Sequence, residues 1–334
     1  MPDGGFPIQI EHGLVEIVSR DLPSYAAFVA PEPFGLVEDR LVRAPAHVTI
    51  AGELELDALE RLGEETAATG VEAVVGIGGG SAIDTAKFVA WRTGLALWQF
   101  PSIASVDAVF TRPAGVRTGR RVRYMGDVAP ELVAVDLDLV LAAPPELNRA
   151  GAGDILSCHT GLSDWYRAVD AGADVPALDE RLIAKARGWL HSLDENASVV
   201  AAAGPDAARF LMSTLREVGT TCDAAGFSYF EEGSEHYFAY CFEYLTGRHL
   251  VHGELVALGI VAMSIAQEND PDWVVDLLAR LGVRWRPAEL DIERATLVDV
   301  LDTLPAFCAD ELFAPSAASS LDNASRSAII DRLV

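Results

Sequence analysis

Three consecutive glycines, Gly78, Gly79 and Gly80, stand between an apolar run and a helical pattern in residues 74–90, VVGIGGGSAIDTAKFVA. Glycines let a ligand approach the backbone closely, and the free N–H groups of the following helical turn attract an anion. A pyrophosphate would fit such a turn. A tight strand–helix turn without a ligand has the same pattern, with Ser81 serving only as an N-cap.

Two common phosphate-binding patterns are absent from this turn. GxGxxG requires a third glycine where Ile83 stands, and no GKS or GKT follows the glycines. Asp84 and Lys87 are three residues apart on one face of the predicted helix, where a surface ion pair is the default expectation. The short pattern therefore leaves an anion site and a plain turn both open.

The composition excludes several classes of function. The formal net charge of −25 argues against nucleic acid as a partner, although helix N-termini can still bind a small anion locally. No apolar run approaches the roughly 20 residues that a membrane span needs, and the N-terminus lacks the regions of a signal peptide. The four cysteines show no CxxC pairing. We therefore expect a cytoplasmic protein with no nucleic-acid partner and no membrane span.

The first part of the chain alternates short apolar runs with helical patterns. Residues 25–30, 46–52 and 72–78 are typical of buried strands, and residues 56–70 of an amphipathic helix between the second and third strands. Further strands are predicted at 95–101 and 132–140, and a hairpin at 115–125. Strands that alternate with helices indicate a parallel sheet with crossover helices.

The second part of the chain has a different character. From Gly153 onward the patterns are helical and are separated by Gly, Pro, Asn or Asp. The change predicts two domains, an α/β dinucleotide-binding domain at 1–148 and an all-helical domain at 149–334. The predicted fold class is therefore an α/β N-terminal domain with a parallel, Rossmann-like sheet, followed by an all-α C-terminal domain.

Longer strings carry a family resemblance. GIGGGSAIDTAK (76–87) resembles the iron-containing alcohol dehydrogenase and dehydroquinate synthase superfamily, whose members share G-G-G-S-x-x-D-x-A-K. Other strings resemble its sn-glycerol-1-phosphate dehydrogenase-like branch: PSIASVD (101–107), VAVDLDLVLAAPPELNRAGAGDILSCHTGLSDW (133–165), GSEHYFAY (233–240) and HGELVALG (252–259). The resemblance implies a dehydroquinate synthase-like fold, in which the helical domain binds metal and substrate.

By this resemblance, the glycine turn would receive the pyrophosphate of NAD or NADP. The cofactor-binding residues that it implies are Gly78, Gly79, Gly80, Ser81, Ala82, Ile83, Asp84, Ser102, Ser105 and Thr111. Ser102 and Ser105 would contact the nicotinamide half with support from Thr111, and Ser102 stands where the family usually has threonine. Glu32 follows an early strand and favours NAD, because a carboxylate would repel the 2′-phosphate of NADP.

Asp154, His236 and His252 resemble the zinc ligands of the branch. His236 lies in one predicted helix and His252 opens the next, so an antiparallel helix pair can bring both imidazoles to one point. Two histidines and a carboxylate leave an open coordination position, which a catalytic metal needs. Zinc is expected in preference to iron, from the branch resemblance. The alternatives are that Asp154 is an ordinary N-cap and that His249 is a rival ligand.

Tyr240 departs from the pattern of the branch, which usually has a second histidine four residues after the first zinc-binding one. Positions 236 and 240 share a helix face, so a phenol with a pKa of about 10 replaces an imidazole with a pKa of about 6.5. Plain core packing is the alternative role for Tyr240. Asp107 matches the substrate-binding aspartate of the branch, and the implied catalytic residues are Asp107, Tyr240 and Asp154.

The sequence thus predicts an oxidoreductase, a metal-dependent NAD(P)-linked dehydrogenase that transfers a hydride between nicotinamide and a small polyol phosphate or its ketone. The pair glycerol 1-phosphate and dihydroxyacetone phosphate is the model substrate. A dehydroquinate synthase-type sugar-phosphate cyclase, which uses NAD and zinc, is the alternative, and a non-catalytic relative is a third reading that only Tyr240 supports. The expected partners are a phosphorylated small-molecule substrate and further copies of the chain in a homo-oligomer.

Overall fold

The computed structural model describes residues 5–52 and 54–333. The chain forms two compact units, one made of the residues up to Asn148 together with Ala203–Gly226, and the other of Arg149–Ala202 together with the residues from Phe227 onward. The strands are β1 (Ile8–Glu11), β2 (Tyr25–Val29), β3 (His47–Ile50), β4 (Ala73–Gly78), β5 (Ala96–Pro101), β6 (Ala114–Thr118), β7 (Arg121–Met125) and β8 (Leu132–Asp136).

The helices alternate with these strands and then follow them. They are α1 (Leu14–Ser19), α2 (Pro31–Val37), α3 (Leu56–Ala68), α4 (Gly80–Thr93), α5 (Leu137–Ala142), α6 (Pro145–Arg149), α7 (Gly151–Leu156), α8 (Cys158–Asp170), α9 (Glu180–Glu195), α10 (Ala197–Ala202), α11 (Pro205–Ala225), α12 (Ser234–Thr246), α13 (His252–Gln267), α14 (Pro271–Leu281), α15 (Arg294–Asp310) and α16 (Asn323–Leu333). Short 3-10 helices cover Glu38–Arg40, Asp107–Phe110 and Pro287–Leu290.

The first unit is built on a six-stranded sheet in the order β1-β8-β5-β4-β2-β3, with every pair parallel. A parallel sheet is covered on both faces, which explains why all residues of β2 and β4 are buried. Tyr25, Val75 and Phe100 belong to the core on one face, and Val74 and Val89 to the core on the other. The predicted α/β class is confirmed.

The strand connections reverse direction between β2 and β4. The chain runs from β2 to its neighbour β3 toward one edge of the sheet. From β4 it runs through α4 to its neighbour β5, toward the opposite edge. A parallel sheet has its ligand crevice where two neighbouring strands diverge in this way, beyond their carboxyl ends. The glycine turn follows β4 at that point, and Glu32 lies in the first turn of α2, which follows β2.

Most of the predicted strands are present with small shifts at their ends. The runs 25–30, 46–52, 72–78 and 95–101 correspond to β2, β3, β4 and β5, and the helix at 56–70 corresponds to α3. The prediction of a strand at 132–140 was wrong in its second half, because β8 ends at Asp136. The Asp136 carboxylate accepts a hydrogen bond of 2.9 Å from the N–H of Asp138 and so caps α5.

Two further features of the first unit concern short strands. The predicted hairpin is confirmed as β6–β7, and its two-residue loop has positive φ at both Gly119 (57°) and Arg120 (65°), as a type I′ turn requires. β1 was not predicted; its four residues pair with β8 at the edge of the sheet.

From Gly151 to the last described residue, 333, every regular element is helical, as predicted, and all of these helices except α11 belong to the second unit. The division of the chain into two domains at residue 148 stays a prediction. α11 belongs to the first unit, although that division assigns it to the helical domain. Among the described residues, no helix is both long enough and apolar enough to cross a membrane.

Candidate functional site

The glycine turn joins β4 to α4 at the switch point of the sheet. Gly78 has a φ of 152°, and a Cβ atom there would lie 2.8 Å from the Cβ atom of Ala82. Packing within the protein therefore excludes a side chain at this position. A Cβ atom on Gly80 would meet only Val106 Cγ1, at an ordinary 3.8 Å, so the fold leaves room beside Gly80.

The first turn of α4 presents its backbone N–H groups beside that space. The N–H groups of Ala82 and Ile83 are bonded to the carbonyl oxygen of Gly79 at 3.1 Å, whereas those of Gly80 and Ser81 precede the first intrahelical bond. The cap residue of α4 is Gly79, so the alternative role of Ser81 as an N-cap was wrong. Exposed Ser81 is available to a ligand.

Ser102 offers a polar atom that the protein does not satisfy. Its side chain is 2% exposed, and its Oγ has no hydrogen-bond partner within the described part of the chain. Its N–H donates to the carbonyl oxygen of Gly78 at 2.9 Å, which fixes Ser102 beside the glycine turn. A buried polar atom without a partner costs about 1–3 kcal/mol, so a ligand that pairs with Ser102 Oγ would be favoured. Predicted Ser105 is also buried, in the loop that follows.

Lys87 and Asp84 form an ion pair that is buried, which corrects the expected surface pair. Lys87 Nζ lies 3.6 Å from Asp84 Oδ1 and donates to the carbonyl oxygens of Ala108 and Pro113 and to Thr111 Oγ1. Burial lowers the pKa of Lys87 and raises that of Asp84, while the opposite charge of each partner counteracts the shift. Two predicted cofactor residues, Asp84 and Thr111, are thus held in place by Lys87.

Asp107 begins the 3-10 helix Asp107–Phe110, between the loop of Ser102 and the residues that Lys87 holds. A Cβ atom on Gly219 of α11 would lie 3.0 Å from Asp107 Oδ2, so α11 packs directly on this segment. Asp107 therefore belongs to the first unit, whereas the predicted catalytic residues Asp154 and Tyr240 belong to the second.

Asp154, His236 and His252 come together within the second unit. Asp154 Oδ1 lies 3.6 Å from His236 Nε2 and 3.5 Å from His252 Nε2, and the potential ligand atoms of all three lie within 4.8 Å of one another. With metal–ligand bonds of about 2.1 Å, neighbouring donor atoms of a tetrahedral site are about 3.4 Å apart. The three residues therefore have the spacing of a metal site.

Two glycines allow the helices that bear these ligands to approach closely. A Cβ atom on Gly153 would lie 2.1 Å from the carbonyl oxygen of Gly253, where α7 meets α13. A Cβ atom on Gly259 would lie 2.6 Å from the carbonyl oxygen of Glu235, where α13 meets α12. The three helices can therefore contact one another backbone to backbone, and this contact brings the three ligands to one point.

Glu235 orients the imidazole of His236. Its Oε1 lies 2.9 Å from His236 Nδ1, and the carboxylate also accepts from the N–H of Gly233 at 2.6 Å and from Thr160 Oγ1 at 2.7 Å. A carboxylate on Nδ1 fixes the tautomer that leaves Nε2 available to a metal. The pKa of His236 is well above its ordinary value, because Asp154 and Glu235 outweigh burial, which lowers it.

The electrostatics of Asp154 match a ligand of a cation. Burial alone would raise its pKa, but His236 and His252 beside it bring the pKa well below its usual range. Asp154 is 1% exposed. Ser157 Oγ donates to the carbonyl oxygen of Asp154 at 2.5 Å, and this hydrogen bond stabilises the C-terminal end of α7. The His252 side chain is 27% exposed and is the most solvent-accessible of the three.

A further carboxylate fixes the start of α12. Asp164 accepts hydrogen bonds of 2.8 Å from the N–H groups of Ser234 and Ala317. Burial raises the pKa of Asp164 to about 6, opposed by the hydrogen bonds from Ser234. Ser234 is two residues before His236, so this contact sets the position of the metal-facing turn.

The sequence left alternative roles open for Asp154, His249 and Tyr240. The residue before α7 is Ala150, so Asp154 does not cap the helix and the N-cap reading was wrong. His249 is 53% exposed and lies 3.6 Å from a carboxylate oxygen of Glu243, outside the three-residue group. The Tyr240 ring lies 6.1 Å from that of His236, and its hydroxyl donates to Glu232.

Sequence reasoning missed the acidic residues that surround His236. Glu231 and Glu235 are buried, and Glu231 Oε1 lies 3.9 Å from His236 Nε2. The signal was the string EEGSEH at 231–236, in which three carboxylates precede the histidine. Such a run is more often a solvated helix start, and only the packing of α8 and α12 shows that these acids point inward.

The comparisons with known proteins agree with this geometry. A family model described as iron-containing alcohol dehydrogenase matches residues 34–144. A relative from Hyperthermus butylicus, named glycerol-1-phosphate dehydrogenase (NAD(P)+), is 32% identical over 245 residues, which cover 72% of this chain and 69% of the relative. The chain belongs to the iron-containing alcohol dehydrogenase family, in its glycerol-1-phosphate dehydrogenase-like branch. A relative of the same name from Staphylothermus marinus is 28% identical and covers 75% of this chain and 70% of its own.

Solved structures share the fold over nearly the whole chain. A probable glycerol dehydrogenase from Sinorhizobium meliloti 1021 has a TM-score of 0.76 at 22% identity and covers 98% of this chain and 96% of its own. An iron-containing alcohol dehydrogenase from Corynebacterium glutamicum has a TM-score of 0.75 at 14% identity, with coverage of 99% and 95%. At these identities, the likeness concerns the fold alone, and it agrees with the family assignment.

Proposed function

We propose that this protein is a metal-dependent, NAD(P)-linked dehydrogenase that transfers a hydride between nicotinamide and a small polyol phosphate or its ketone. The convergence of Asp154, His236 and His252 from three helices is the observation that carries the proposal. The names of the relatives support glycerol 1-phosphate as the substrate. Oxidation of its secondary hydroxyl would give dihydroxyacetone phosphate, the other member of the proposed pair.

The first unit would hold the dinucleotide. The N–H groups of Gly80 and Ser81 would receive the pyrophosphate in the space beside Gly80, with the positive end of the α4 dipole behind them. The hydroxyl of Ser102 would gain the hydrogen-bond partner that the protein does not provide. Exposed Glu32, in the first turn of α2 after β2, supports NAD rather than NADP.

The second unit would hold the metal. Asp154, His236 and His252 would bind a divalent ion, which, when bound, acts as a Lewis acid on a substrate oxygen. Glu235 keeps His236 Nε2 directed at the site, and Asp154 offsets part of the ionic charge. The substrate-contacting roles of Tyr240 and of Asp107 each stay a prediction. Zinc as the metal, a cytoplasmic location and a homo-oligomer stay predictions.

A cofactor assay with metal removal tests the proposal. With dihydroxyacetone phosphate, the enzyme should oxidise NADH in a one-to-one ratio to product, EDTA should abolish turnover, and zinc or iron should restore it. His252→Ala should lose the bound metal by elemental analysis and lower kcat/KM by about 100-fold or more. His249→Ala is the matched control, because this exposed histidine lies outside the group of Asp154, His236 and His252. This variant should keep the bound metal and the kcat/KM of the unmodified protein.

Two outcomes of this assay contradict the proposal. Turnover of a longer sugar phosphate, with release of phosphate and no net NADH oxidation, would favour the sugar-phosphate cyclase. Full metal occupancy in His252→Ala would show that the metal is bound elsewhere.

A second candidate substrate class, an unphosphorylated polyol or its ketone, is favoured by the acidic surroundings of Tyr240. The Tyr240 hydroxyl donates to Glu232, and the Glu231 carboxylate lies on the same segment. A phosphate needs donors, and like charges repel it. Dihydroxyacetone assayed beside dihydroxyacetone phosphate separates the classes. If acidic groups select the substrate, dihydroxyacetone has the higher kcat/KM, and Tyr240→His shifts the ratio toward the phosphate.

A further inference from the structure

Glu231 lies on the metal-facing side of His236. Its Oε1 is 3.9 Å from His236 Nε2, the same nitrogen that lies 3.6 Å from Asp154 Oδ1. The opposite nitrogen, Nδ1, already pairs with Glu235 at 2.9 Å. Glu231 therefore approaches the one position on this ring that a metal would use.

Neighbouring segments hold the backbone of Glu231 in place before any ion binds. The backbone N–H of Glu231 donates to the carbonyl oxygen of Ser228 at 2.8 Å. A Cβ atom on Gly161 would lie 3.1 Å from the Glu231 carbonyl carbon, so α8 packs against this segment. Ser157 Oγ lies 3.2 Å from Glu231 Oε1 and donates to the carbonyl oxygen of Asp154 at 2.5 Å. The one hydroxyl proton of Ser157 is used at Asp154, so this contact does not fix the position of the Glu231 carboxylate.

A cation would stabilise the buried negative charge around His236. Asp154, Glu231 and Glu235 are each no more than 5% exposed, and each has a carboxylate oxygen within 3.9 Å of a ring nitrogen of His236. Three buried carboxylates around one imidazole are costly unless positive charge compensates them. A protonated His236 could offset one of these charges, whereas a divalent ion would offset two.

A movement of the Glu231 side chain would let it share the ion with the other ligands. Donor atoms are about 3.4 Å apart in a tetrahedral site with bonds of about 2.1 Å, and wider pairs occur when a zinc site expands to five ligands. The Glu231–His236 separation of 3.9 Å falls within that range. Glu231 lies outside the group whose ligand atoms are all within 4.8 Å of one another, so its carboxylate would move toward Asp154 and His252 when the ion binds. A site with four protein ligands and five positions still leaves one position for a substrate oxygen.

We propose that Glu231 is a fourth protein ligand of the divalent metal held by Asp154, His236 and His252; this inference rests on the proposed function. The resulting donor set has two imidazole nitrogens and two carboxylates, whose charges balance that of the ion. A second carboxylate makes the donor set harder, which suits Fe²⁺ or Mn²⁺ as well as Zn²⁺.

Metal affinity and the visible spectrum of the Co²⁺-loaded protein test this role without reference to activity. Glu231→Gln removes the charge, and Glu231→Asp keeps the charge but withdraws the carboxylate by one methylene. Both should weaken Zn²⁺ and Co²⁺ binding by about tenfold or more in chelator competition and should change the Co²⁺ absorption bands. Glu232→Gln is the matched control, because the Glu232 carboxylate contacts Tyr240 and Ser228, and it should change the affinity less than about threefold and leave the bands unchanged.

The outcomes separate this inference from the proposed function. If Glu231→Gln and Glu231→Asp, folded by circular dichroism, keep the affinity and Co²⁺ spectrum of the unmodified protein while His252→Ala loses the metal, Glu231 is not a ligand and the proposed metal site stands. If the unmodified protein binds no divalent ion, or if His252→Ala binds it equally well, the proposed function fails together with the inference.

Discussion

Lys87 shows how a single buried charge can hold a functional segment. Its side chain is 1% exposed, and its ammonium is shared among Asp84, Thr111 and the carbonyl oxygens of Ala108 and Pro113. Ala108 lies within the 3-10 helix that begins at Asp107, and Thr111 and Pro113 lie just after it. A charged side chain is tolerated at this depth only because its polar partners surround it.

Replacing Lys87 by methionine should therefore destabilise the protein strongly. Lys87→Met keeps the aliphatic chain but leaves Asp84 and two carbonyl oxygens without their donor, at a cost of about 3–5 kcal/mol. The free energy of unfolding in urea measures the loss. Lys185→Met, at the other lysine, is exposed and should change stability by less than about 0.5 kcal/mol. A second change, Asp84→Asn, should recover part of the loss in Lys87→Met; equal stabilities of Lys87→Met and the unmodified protein would refute the bridging role.

The sequence predicted the three candidate metal ligands but not the acidic residues that surround His236. Asp154, His236 and His252 stand in strings with a recognisable pattern, and the structure brings them within 4.8 Å of one another. Glu231 and Glu235 were not predicted, because acidic residues before a helix are usually solvated. Their inward direction follows from contacts with Ser157 and Thr160 of other helices, which are remote in sequence.

At the scale of elements, periodicity predicted the buried strands and long helices well. It failed where a local capping interaction decided the outcome, as at Asp136, whose carboxylate starts α5 in the middle of an apolar run. It also failed for β1, because four residues at a sheet edge have too short a pattern to distinguish from a loop. Pairing with β8, which is distant in sequence, decides that β1 is a strand.

The close approach of α7 and α13 should determine metal affinity. Gly153→Ala would place a Cβ atom 2.1 Å from the Gly253 carbonyl oxygen, so the helices must separate and Asp154 must move from His252. We expect a loss of about 1–3 kcal/mol in the free energy of unfolding and about tenfold weaker Zn²⁺ binding in chelator competition.

The control for this prediction is an alanine at a glycine with open space. Gly188 lies within α9, and a Cβ atom there would meet nothing within 4 Å. Gly188→Ala should raise stability by about 0.5–1 kcal/mol and leave Zn²⁺ affinity unchanged. If both variants bind Zn²⁺ as the unmodified protein does, the helix contact does not set the site geometry.

At the scale of the whole molecule, the order of the chain does not fully reveal its units. α11 lies between helices of the second unit in sequence, yet it belongs to the first, where Arg209 contacts the carbonyl oxygen of Ile10 and Gly219 packs on Asp107. An amphipathic helix has the same pattern whichever core it covers. Its membership is therefore set by tertiary contacts that the sequence does not encode locally.

The net charge of the whole chain predicts how salt affects stability. The chain has 50 acidic and 25 basic residues, so at neutral pH the surplus of negative charge repels itself in the folded state more than in the expanded unfolded chain. The Debye length falls from about 10 Å at 0.1 M salt to about 3 Å at 1 M, and this screening weakens the repulsion. The thermal midpoint at pH 7 should therefore rise by several degrees over this range, equally in NaCl and KCl.

Near pH 4.5, which is close to the isoelectric point, the surplus charge vanishes and the rise should disappear. A midpoint at pH 7 that falls with salt would show that local ion pairs, such as Arg284 with Glu254, outweigh the net repulsion.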